Sequence, residues 1–363
     1  MDPIRVLIVD DSPFMRKALE RMLVAAEDIQ VVGSARDGLD ALDKIKELKP
    51  DIVTLDVEMP RMDGLACLKR IMVECPLPVL MVSSLTQEGA AATLDALAFG
   101  ALDFIPKESS LASQSILQIQ QDLQEKERKL ARSPKFHKGR PPVSGAHPPR
   151  PLVAAPAPSH RAVPSGMGLL GSPRAELLVI GCSTGGPKAL QDFLPALPKS
   201  LPVPCLIVQH MPASFTRPFA DRLNAISQVE VKEAENGETL RPGTVYIAQG
   251  GIHMLYRQRG SQGYLELNPE PASTLHRPSV DVMFQSVAEH ATRQVLAMIL
   301  TGMGADGAKG MELLKSKGAH TMAEAEESCV VYGMPKAAFE RGCVDQVAPL
   351  PEMAGILRRH FQI

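Results

Sequence analysis

Short β-branched and apolar runs alternate with stretches of helical periodicity along most of this chain. In the first hundred residues the predicted strands are 5–10, 29–35, 52–56, 79–83 and 103–106, and the predicted helices between them are 13–24, 39–48, 65–73 and 90–99. Alternation of this length is typical of βαβ units around a parallel sheet that is covered on both faces.

The composition changes sharply over residues 133–173. Ten of these 41 residues are Pro, none is Asp or Glu, and five Lys or Arg are scattered among them. Such a stretch buries too little apolar surface to offset its conformational entropy, so we predict a linker. It serves as a spacer or, through its basic side chains, as a contact for an acidic or phosphorylated partner. A helix that turns increasingly polar is predicted at 111–131, ahead of the linker.

The alternation resumes near residue 176, with a helix predicted at 218–225 and a hairpin around 257–263. We therefore expect two α/β domains: a first domain at 1–125 with a five-stranded parallel sheet, a linker at 126–173, and a doubly wound second domain at 174–363 with a small β insertion.

Charge and cysteine content exclude several classes. A formal net charge of −2 gives no global basic field, so nothing in the overall charge favours nucleic-acid binding. No run of 18 apolar residues is present, so no membrane span is expected. The six Cys form no C-x-x-C pair, which favours free thiols in a reducing cytoplasm over disulfides or a zinc site.

Charged and polar residues follow four predicted strands of the first domain. They are Asp10 and Asp11 after the first strand, Asp56 at the end of the third, Ser83 at the end of the fourth and Lys107 after the fifth. Ligands of open parallel sheets bind at this edge. Three converging carboxylates repel one another unless a cation joins them, and Mg²⁺ prefers oxygen ligands. Each residue alone is more simply explained as a helix cap or a polar residue at a strand end, but together they predict a cation and phosphate pocket.

The segments VLIVDDS, LDVEMPRMDG, VLMVSS and GALDFIPK stand in this order over about residues 1–125, and this half resembles the response-regulator receiver family. The resemblance implies a flavodoxin-like fold and phosphorylation of Asp56 by a histidine kinase. It also implies roles for six further residues: Mg²⁺ is held by Asp11 and the Glu58 carbonyl together with Asp56, Asp10 places the ion, Ser83 and Phe104 take the switch positions, and Lys107 contacts the phosphate.

In the second half, Gly181-Cys182-Ser183-Thr184-Gly185-Gly186 lies between a predicted strand and a predicted helix. Glycines around a serine allow a sharp strand-to-helix turn that exposes the hydroxyl beside backbone N–H donors. The string alone is weak, because a helix cap or a phosphate-binding loop has the same residues. Cys182 is a rival nucleophile, although its side chain is expected to point inward.

His210 follows the strand CLIVQH, and Asp306 lies in the loop TGMGADG after another strand. Ser183, His210 and Asp306 are therefore expected at one sheet edge, as a nucleophile, a base and a carboxylate that orients the base. The chain order Ser, His, Asp differs from the α/β-hydrolase order. The glycine-rich loop is also consistent with a tight turn or an anion nest. Backbone N–H groups near Thr184 or Met303 are candidate oxyanion donors.

The strings IGCSTGGP, IVQHMP, HRPSVDVMF and LTGMGADGAKGM extend over about residues 174–362, and this half resembles the catalytic domain of the CheB methylesterase family of chemotaxis. The resemblance implies a Ser183, His210 and Asp306 triad with no cofactor. It implies hydrolysis of glutamyl methyl esters on methyl-accepting chemotaxis receptors, deamidation of receptor glutamines, and peripheral association with receptor arrays. Two alternatives remain open: a phosphorylation-dependent adaptor or transcription regulator, and a receiver-controlled thioesterase or peptidase.

Overall fold

The computed structural model describes residues 2–84, 86–107, 113–133, 136 and 174–363. The first half is a five-stranded sheet in the order β2-β1-β3-β4-β5, and every pairing in it is parallel. Its elements are β1 (Ile4–Val9), α1 (Pro13–Val24), β2 (Ile29–Ala35), α2 (Gly38–Leu48), β3 (Ile52–Asp56), α3 (Gly64–Glu74), β4 (Val79–Ser84), α4 (Gln87–Phe99), β5 (Asp103–Lys107) and α5 (Ser113–Ala131). This is the flavodoxin-like order that the resemblance implied.

Side-chain caps set the helix starts in this half. Ser12, Asp37 and Asp63 accept hydrogen bonds from backbone N–H groups of the first turns of α1, α2 and α3. Thr86 does the same for Gly89, so α4 begins at Gln87, three residues before the predicted start. Periodicity marks only the buried face, whereas the cap fixes where the first turn forms.

The second half is a seven-stranded sheet in the order β14-β13-β12-β6-β7-β9-β8, again with parallel pairing throughout. Its strands are β6 (Leu177–Cys182), β7 (Cys205–Gln209), β8 (Glu230–Glu233), β9 (Thr244–Ile247), β12 (Val295–Ile299), β13 (His320–Glu324) and β14 (Gln346–Ala348). Its helices are α6 (Gly186–Phe193), α7 (Ala213–Ile226), α8 (Val280–His290), α9 (Ala308–Ser316), α10 (Met334–Glu340) and α11 (Leu350–Phe361). The predicted β insertion is the antiparallel hairpin β10 (His253–Arg259) and β11 (Gln262–Asn268).

The predicted start of α7 at Pro218 is wrong. The helix begins five residues earlier, at Ala213, and contains Pro218 in its interior. Pro has no N–H to bond the carbonyl of the preceding turn, which normally places it at a helix start. Here Phe215, Phe219 and Leu223 form a fully buried stripe at four-residue spacing, and this packing outweighs the missing hydrogen bond.

The two sheets are joined by packing between their helices. α4 packs against α6 and α7. Phe104 at the end of the first sheet stacks on Phe215 of α7, with ring centroids 4.5 Å apart and 21° between the planes. Asp95 of α4 forms an ion pair with Arg222 of α7. The first half therefore contacts the helix that leads away from His210.

α5 continues to Ala131 and so passes through the predicted boundary at residue 125. Most of the predicted linker lies outside the described residues, and the division at 125 and 173 stays a prediction. All six cysteines are free thiols. Among the helices of the described ranges, none combines the length and the apolar character that a membrane crossing requires.

Glu127 of α5 destabilises the folded state when its carboxyl group is ionised. Its side chain is fully buried, and neither carboxylate oxygen has a hydrogen-bond partner among the described residues. Burial raises the pKa of Glu127 from an ordinary value near 4.5 to about 8. Because the raised pKa belongs to the folded state, the destabilisation is absent below pH 4.5, grows as the pH rises toward 8 and is constant above that.

We expect Glu127→Gln to stabilise the protein by about 3 kcal/mol at pH 7, since an amide carries no charge at any pH. Thermal unfolding followed by circular dichroism between pH 5 and pH 8 measures this. Wild type should lose stability across that range, and the variant should lose much less. Glu125→Gln, at an exposed position of the same helix, is the control and should follow wild type. Equal pH dependence in wild type and Glu127→Gln would show that Glu127 is not buried as an unpaired acid.

Candidate functional site

Three polar side chains meet at the carboxyl edge of the second sheet. Ser183 directly follows β6, His210 directly follows β7, and Asp306 lies in the loop after β12. These strands are neighbours in the order β12-β6-β7, which brings the three side chains together as the sequence predicted. His210 and Asp306 are mostly buried, with 8% and 13% of their side chains exposed.

The three side chains form a continuous hydrogen-bond chain. His210 Nδ1 lies 3.1 Å from Ser183 Oγ, and His210 Nε2 lies 2.8 Å from Asp306 Oδ2. Burial opposes ionisation of Asp306, but hydrogen bonds from His210 and from backbone N–H groups hold its pKa below the usual range. An ionised carboxylate only accepts hydrogen bonds, so Nε2 carries the proton. Nδ1 then presents its lone pair to the Ser183 hydroxyl.

The turn between β6 and α6 depends on two glycines. Gly185 has φ +79°, a left-handed conformation that disfavours side chains. At Gly186 a Cβ would collide with the side chain of Gln209. The Ser183 turn, residues 183–186, is therefore sharp enough to leave the Ser183 hydroxyl facing His210 and free of helix capping.

The start of α8 holds Asp306 in place. The backbone N–H groups of Val280 and Asp281 donate to its two oxygens at 2.7 and 3.0 Å, and the hydroxyl of Ser279 donates at 2.8 Å. Helix N-termini favour anions, so this position suits a carboxylate. Sequence reasoning assigned no role to Ser279, although it lies in the HRPSVD string that carries the resemblance.

A second histidine, His276, packs against the ring of His210. His276 stacks on His210 with ring centroids 4.0 Å apart and 21° between the planes. Burial, with smaller contributions from His210 and from Lys126 in α5, lowers the pKa of His276 to about 4, although Asp306 opposes this. His276 is therefore neutral near pH 7. No role was predicted for His276, because it does not lie at the end of a predicted strand.

Cys182 faces away from the Ser183 hydroxyl. Its side chain is fully buried and its Sγ contacts the carbonyl of Val208, while burial raises the thiol pKa far above its ordinary range. The backbone N–H groups of Thr184 and Met303 donate to no acceptor among the described residues.

The carboxylates of the predicted acidic pocket lie close together in the first half. The carboxylate oxygens of Asp10, Asp11 and Asp56 lie within 4.8 Å of one another. Lys107 Nζ lies 2.9 Å from Asp10 and 2.7 Å from Asp56. Burial raises the pKa of Asp56 to about 6, with a further contribution from Asp10, while the hydrogen bond with Lys107 opposes both effects.

The remaining predicted residues lie around the pocket. Glu58 is exposed, and its backbone N–H hydrogen-bonds to Asp56. Ser83 is buried and bonds to α4, donating to Gly89 O at 3.2 Å and accepting from the Thr93 hydroxyl at 2.6 Å. Phe104 points to α7. The structure thus brings the carboxylates and Lys107 together, whereas the Ser83 hydroxyl and the Phe104 ring are engaged elsewhere.

Family models cover both halves. Residues 6–118 match the response regulator receiver domain, and residues 178–357 match CheB methylesterase. The crystal structure of the CheB methylesterase catalytic domain of Thermotoga maritima is 41% identical with a TM-score of 0.50, covering 52% of this chain and 99% of that one.

Two curated relatives match along almost the whole chain. Protein-glutamate methylesterase/protein-glutamine glutaminase 1 of Oleidesulfovibrio alaskensis is 48% identical, covering 97% of each chain. The protein of the same type from Halalkalibacterium halodurans is also 48% identical, covering 98% of each chain. The chain is therefore a hydrolase that belongs to the CheB family, the protein-glutamate methylesterase/protein-glutamine glutaminases with an N-terminal response-regulator receiver domain.

Proposed function

We propose that this chain removes methyl esters from glutamates of methyl-accepting chemotaxis receptors and deamidates receptor glutamines, and that phosphorylation of its receiver domain activates it. The hydrogen-bond chain from Asp306 through His210 to Ser183 carries the proposal. It supplies a nucleophile, a base with its lone pair aimed at that nucleophile, and a carboxylate that fixes the tautomer of the base.

The reaction is acyl transfer in two steps. Ser183 Oγ attacks the ester carbonyl carbon while its proton passes to His210 Nδ1, and the same proton then leaves with methanol. A water molecule next attacks the acyl-enzyme, giving its proton to His210, and Ser183 recovers that proton as the glutamate carboxyl is released. A carboxamide follows the same path with ammonia as leaving group. Asp306 stabilises the imidazolium formed in each step.

The tetrahedral intermediates place negative charge on the former carbonyl oxygen. We assign its stabilisation to the backbone N–H groups of Thr184, the residue after Ser183, and of Met303, neither of which donates to an acceptor among the described residues. His276 shields one face of the His210 ring without carrying a charge of its own near neutral pH. No cofactor is required in this half.

In the receiver domain, Asp56 is proposed to accept phosphate from a histidine kinase. The three clustered carboxylates fit a hard divalent cation, and Mg²⁺ would be held by Asp10, Asp11, Asp56 and the Glu58 carbonyl. When bound, the ion neutralises charge on the incoming phosphoryl group. Lys107 is within reach of the same oxygens. A kinase as phosphodonor and six free thiols agree with a cytoplasmic location.

The receiver contacts the catalytic half close to the triad. Met303 packs against an apolar cluster that includes Leu123 and Leu130 of α5, and Phe104 stacks on α7. We propose that this packing restricts access to Ser183 and that phosphorylation releases it through Ser83 and Phe104. A modification shifts such an equilibrium only by its different free energy in the two states.

Replacing the triad tests the chemistry. We expect Ser183→Ala and Asp306→Asn to lower methanol release from methylated receptor membranes by about 10³-fold or more, since a triad acts as a unit. Cys182→Ala is the matched control for the rival nucleophile and should stay within about threefold of wild type, because a buried protonated thiol attacks nothing. Loss of activity in Cys182→Ala with retention in Ser183→Ala would reverse the assignment.

If the receiver domain regulates the enzyme as proposed, activation by a phosphodonor depends on Asp56. With Mg²⁺ and a small acyl phosphate, methanol release by wild type should rise by about tenfold, a shift that corresponds to roughly 1.4 kcal/mol between the two states. Chelation of the metal should abolish the rise, and Asp56→Asn should not show it. An equal rise in Asp56→Asn would place the phosphoacceptor elsewhere.

The ion pair across the interface offers a test of the inhibitory contact. Asp95→Arg places two like charges opposite each other, and we expect it to raise methanol release without phosphodonor by about threefold. Arg222→Asp should have a similar effect. The doubly exchanged protein, Asp95→Arg with Arg222→Asp, restores the attraction and should return to the wild-type level. Single variants with unaltered activity would argue that this packing does not restrict the site.

A further inference from the structure

Thr301, which follows β12, is hydrogen-bonded through its backbone and its hydroxyl to residues in and next to the Ser183 turn. Its carbonyl accepts from Ser183 N–H at 3.1 Å, and its hydroxyl donates to the carbonyl of Thr184 at 2.9 Å. The same hydroxyl accepts from Val331 N–H at 3.0 Å. Its own N–H donates to Glu324 Oε2 at 2.7 Å. Thr301 is buried and is thus hydrogen-bonded both to Ser183 and to Thr184, the next residue in the chain.

We propose that Thr301, anchored by the carboxyl of Glu324, is a positioning residue that holds the Ser183 turn in register with His210 and with the N–H of Thr184. The inference rests on the proposed function, in which Ser183 is the nucleophile. The distance from Ser183 Oγ to His210 is set by the backbone of this turn, and hydrogen bonds from Thr301 fix that backbone on both sides of Ser183.

Glu324 ends β13, the neighbour of β12, and its carboxyl is fully buried beside the turn. Its second oxygen accepts from the hydroxyl of Ser328 at 2.9 Å. Burial raises the pKa of Glu324, although the hydrogen bonds from Thr301 and Ser328 oppose this. The hydrogen bond from Thr301 N–H requires an oxygen acceptor at position 324, and it does not require a negative charge there.

Glu324→Gln keeps an oxygen for Thr301 N–H. Its amide nitrogen can donate to the Ser328 hydroxyl, which is free to rotate and to donate to Ala325 O at 3.2 Å instead. Glu324→Met has a similar length and no strong acceptor, so it leaves Thr301 N–H buried without a partner. The pair separates the role of the acceptor from the role of the charge.

Thr301→Ser and Thr301→Val form the second matched pair. Serine retains the hydroxyl, whereas valine has nearly the shape of threonine and cannot bond Thr184 or Val331. Thr321→Val is the control for the loss of a buried threonine hydroxyl. Thr321 is also buried and bonds Asp345 as donor and acceptor, but it lies at the opposite end of β13 from Glu324.

The variants are made in the full chain and assayed by methanol release from methylated receptor membranes, with phosphodonor and Mg²⁺ present. Thermal unfolding establishes that each is folded at the assay temperature. We expect Thr301→Val to lower kcat by about 10- to 100-fold with KM within about twofold, the effect of a misplaced reacting group. Glu324→Met should lower kcat by about tenfold, while Thr301→Ser, Glu324→Gln and Thr321→Val should stay within about threefold of wild type.

Three results would overturn the inference alone: a folded Thr301→Val with wild-type kcat, a Thr301→Ser as impaired as Thr301→Val, or a Thr321→Val as impaired as either. A Glu324→Gln as impaired as Glu324→Met would overturn the acceptor role of Glu324. Ser183→Ala is run alongside. If that variant keeps full methanol release, the proposed function fails together with this inference, so the two failures are distinguished.

Discussion

The hydrogen bonds on Asp306 are the constraint on which the catalytic edge depends. Burying a carboxylate is unfavourable unless donors compensate for the lost water, and here the first turn of α8 and His210 do so. Because the anion is stable, the proton of His210 is fixed on Nε2 and the lone pair of Nδ1 faces Ser183. The tautomer of His210 is thus decided by the start of α8.

Strand ends made much of this site predictable. Residues directly after buried parallel strands must emerge at one edge, so Ser183, His210, Asp56 and Lys107 could be placed from the sequence. Asp306 is further from its strand, but its glycine-rich loop is short. The order of the strands in the first sheet was implied by the resemblance, and no order was predicted for the second sheet, since periodicity alone does not determine which strands pair.

Other parts of the site depend on tertiary packing that no local pattern reveals. His276 reaches His210 from the segment between the β10–β11 hairpin and α8, and Glu324 reaches Thr301 through strand pairing. Both look like ordinary polar residues in the sequence. The start of α7 was misplaced for the same reason: Pro218 is locally typical of a helix start, whereas the buried stripe around Phe215 extends the helix back to Ala213.

The two sheets differ in how the negative charge of their carboxylates is compensated. Both place carboxylates at the carboxyl edge, where ligands of parallel sheets bind. In the receiver, three of them converge with a single Lys107, and the Asp56 pKa of about 6 reflects burial without sufficient donors. In the catalytic half, Asp306 accepts hydrogen bonds from the N-terminus of α8 and from His210, and its pKa is lowered. Under the proposed function, the carboxylates of the receiver leave negative charge for a cation to neutralise, whereas the donors around Asp306 already compensate its charge. A site of the first kind suits a switch, and a site of the second kind suits repeated turnover.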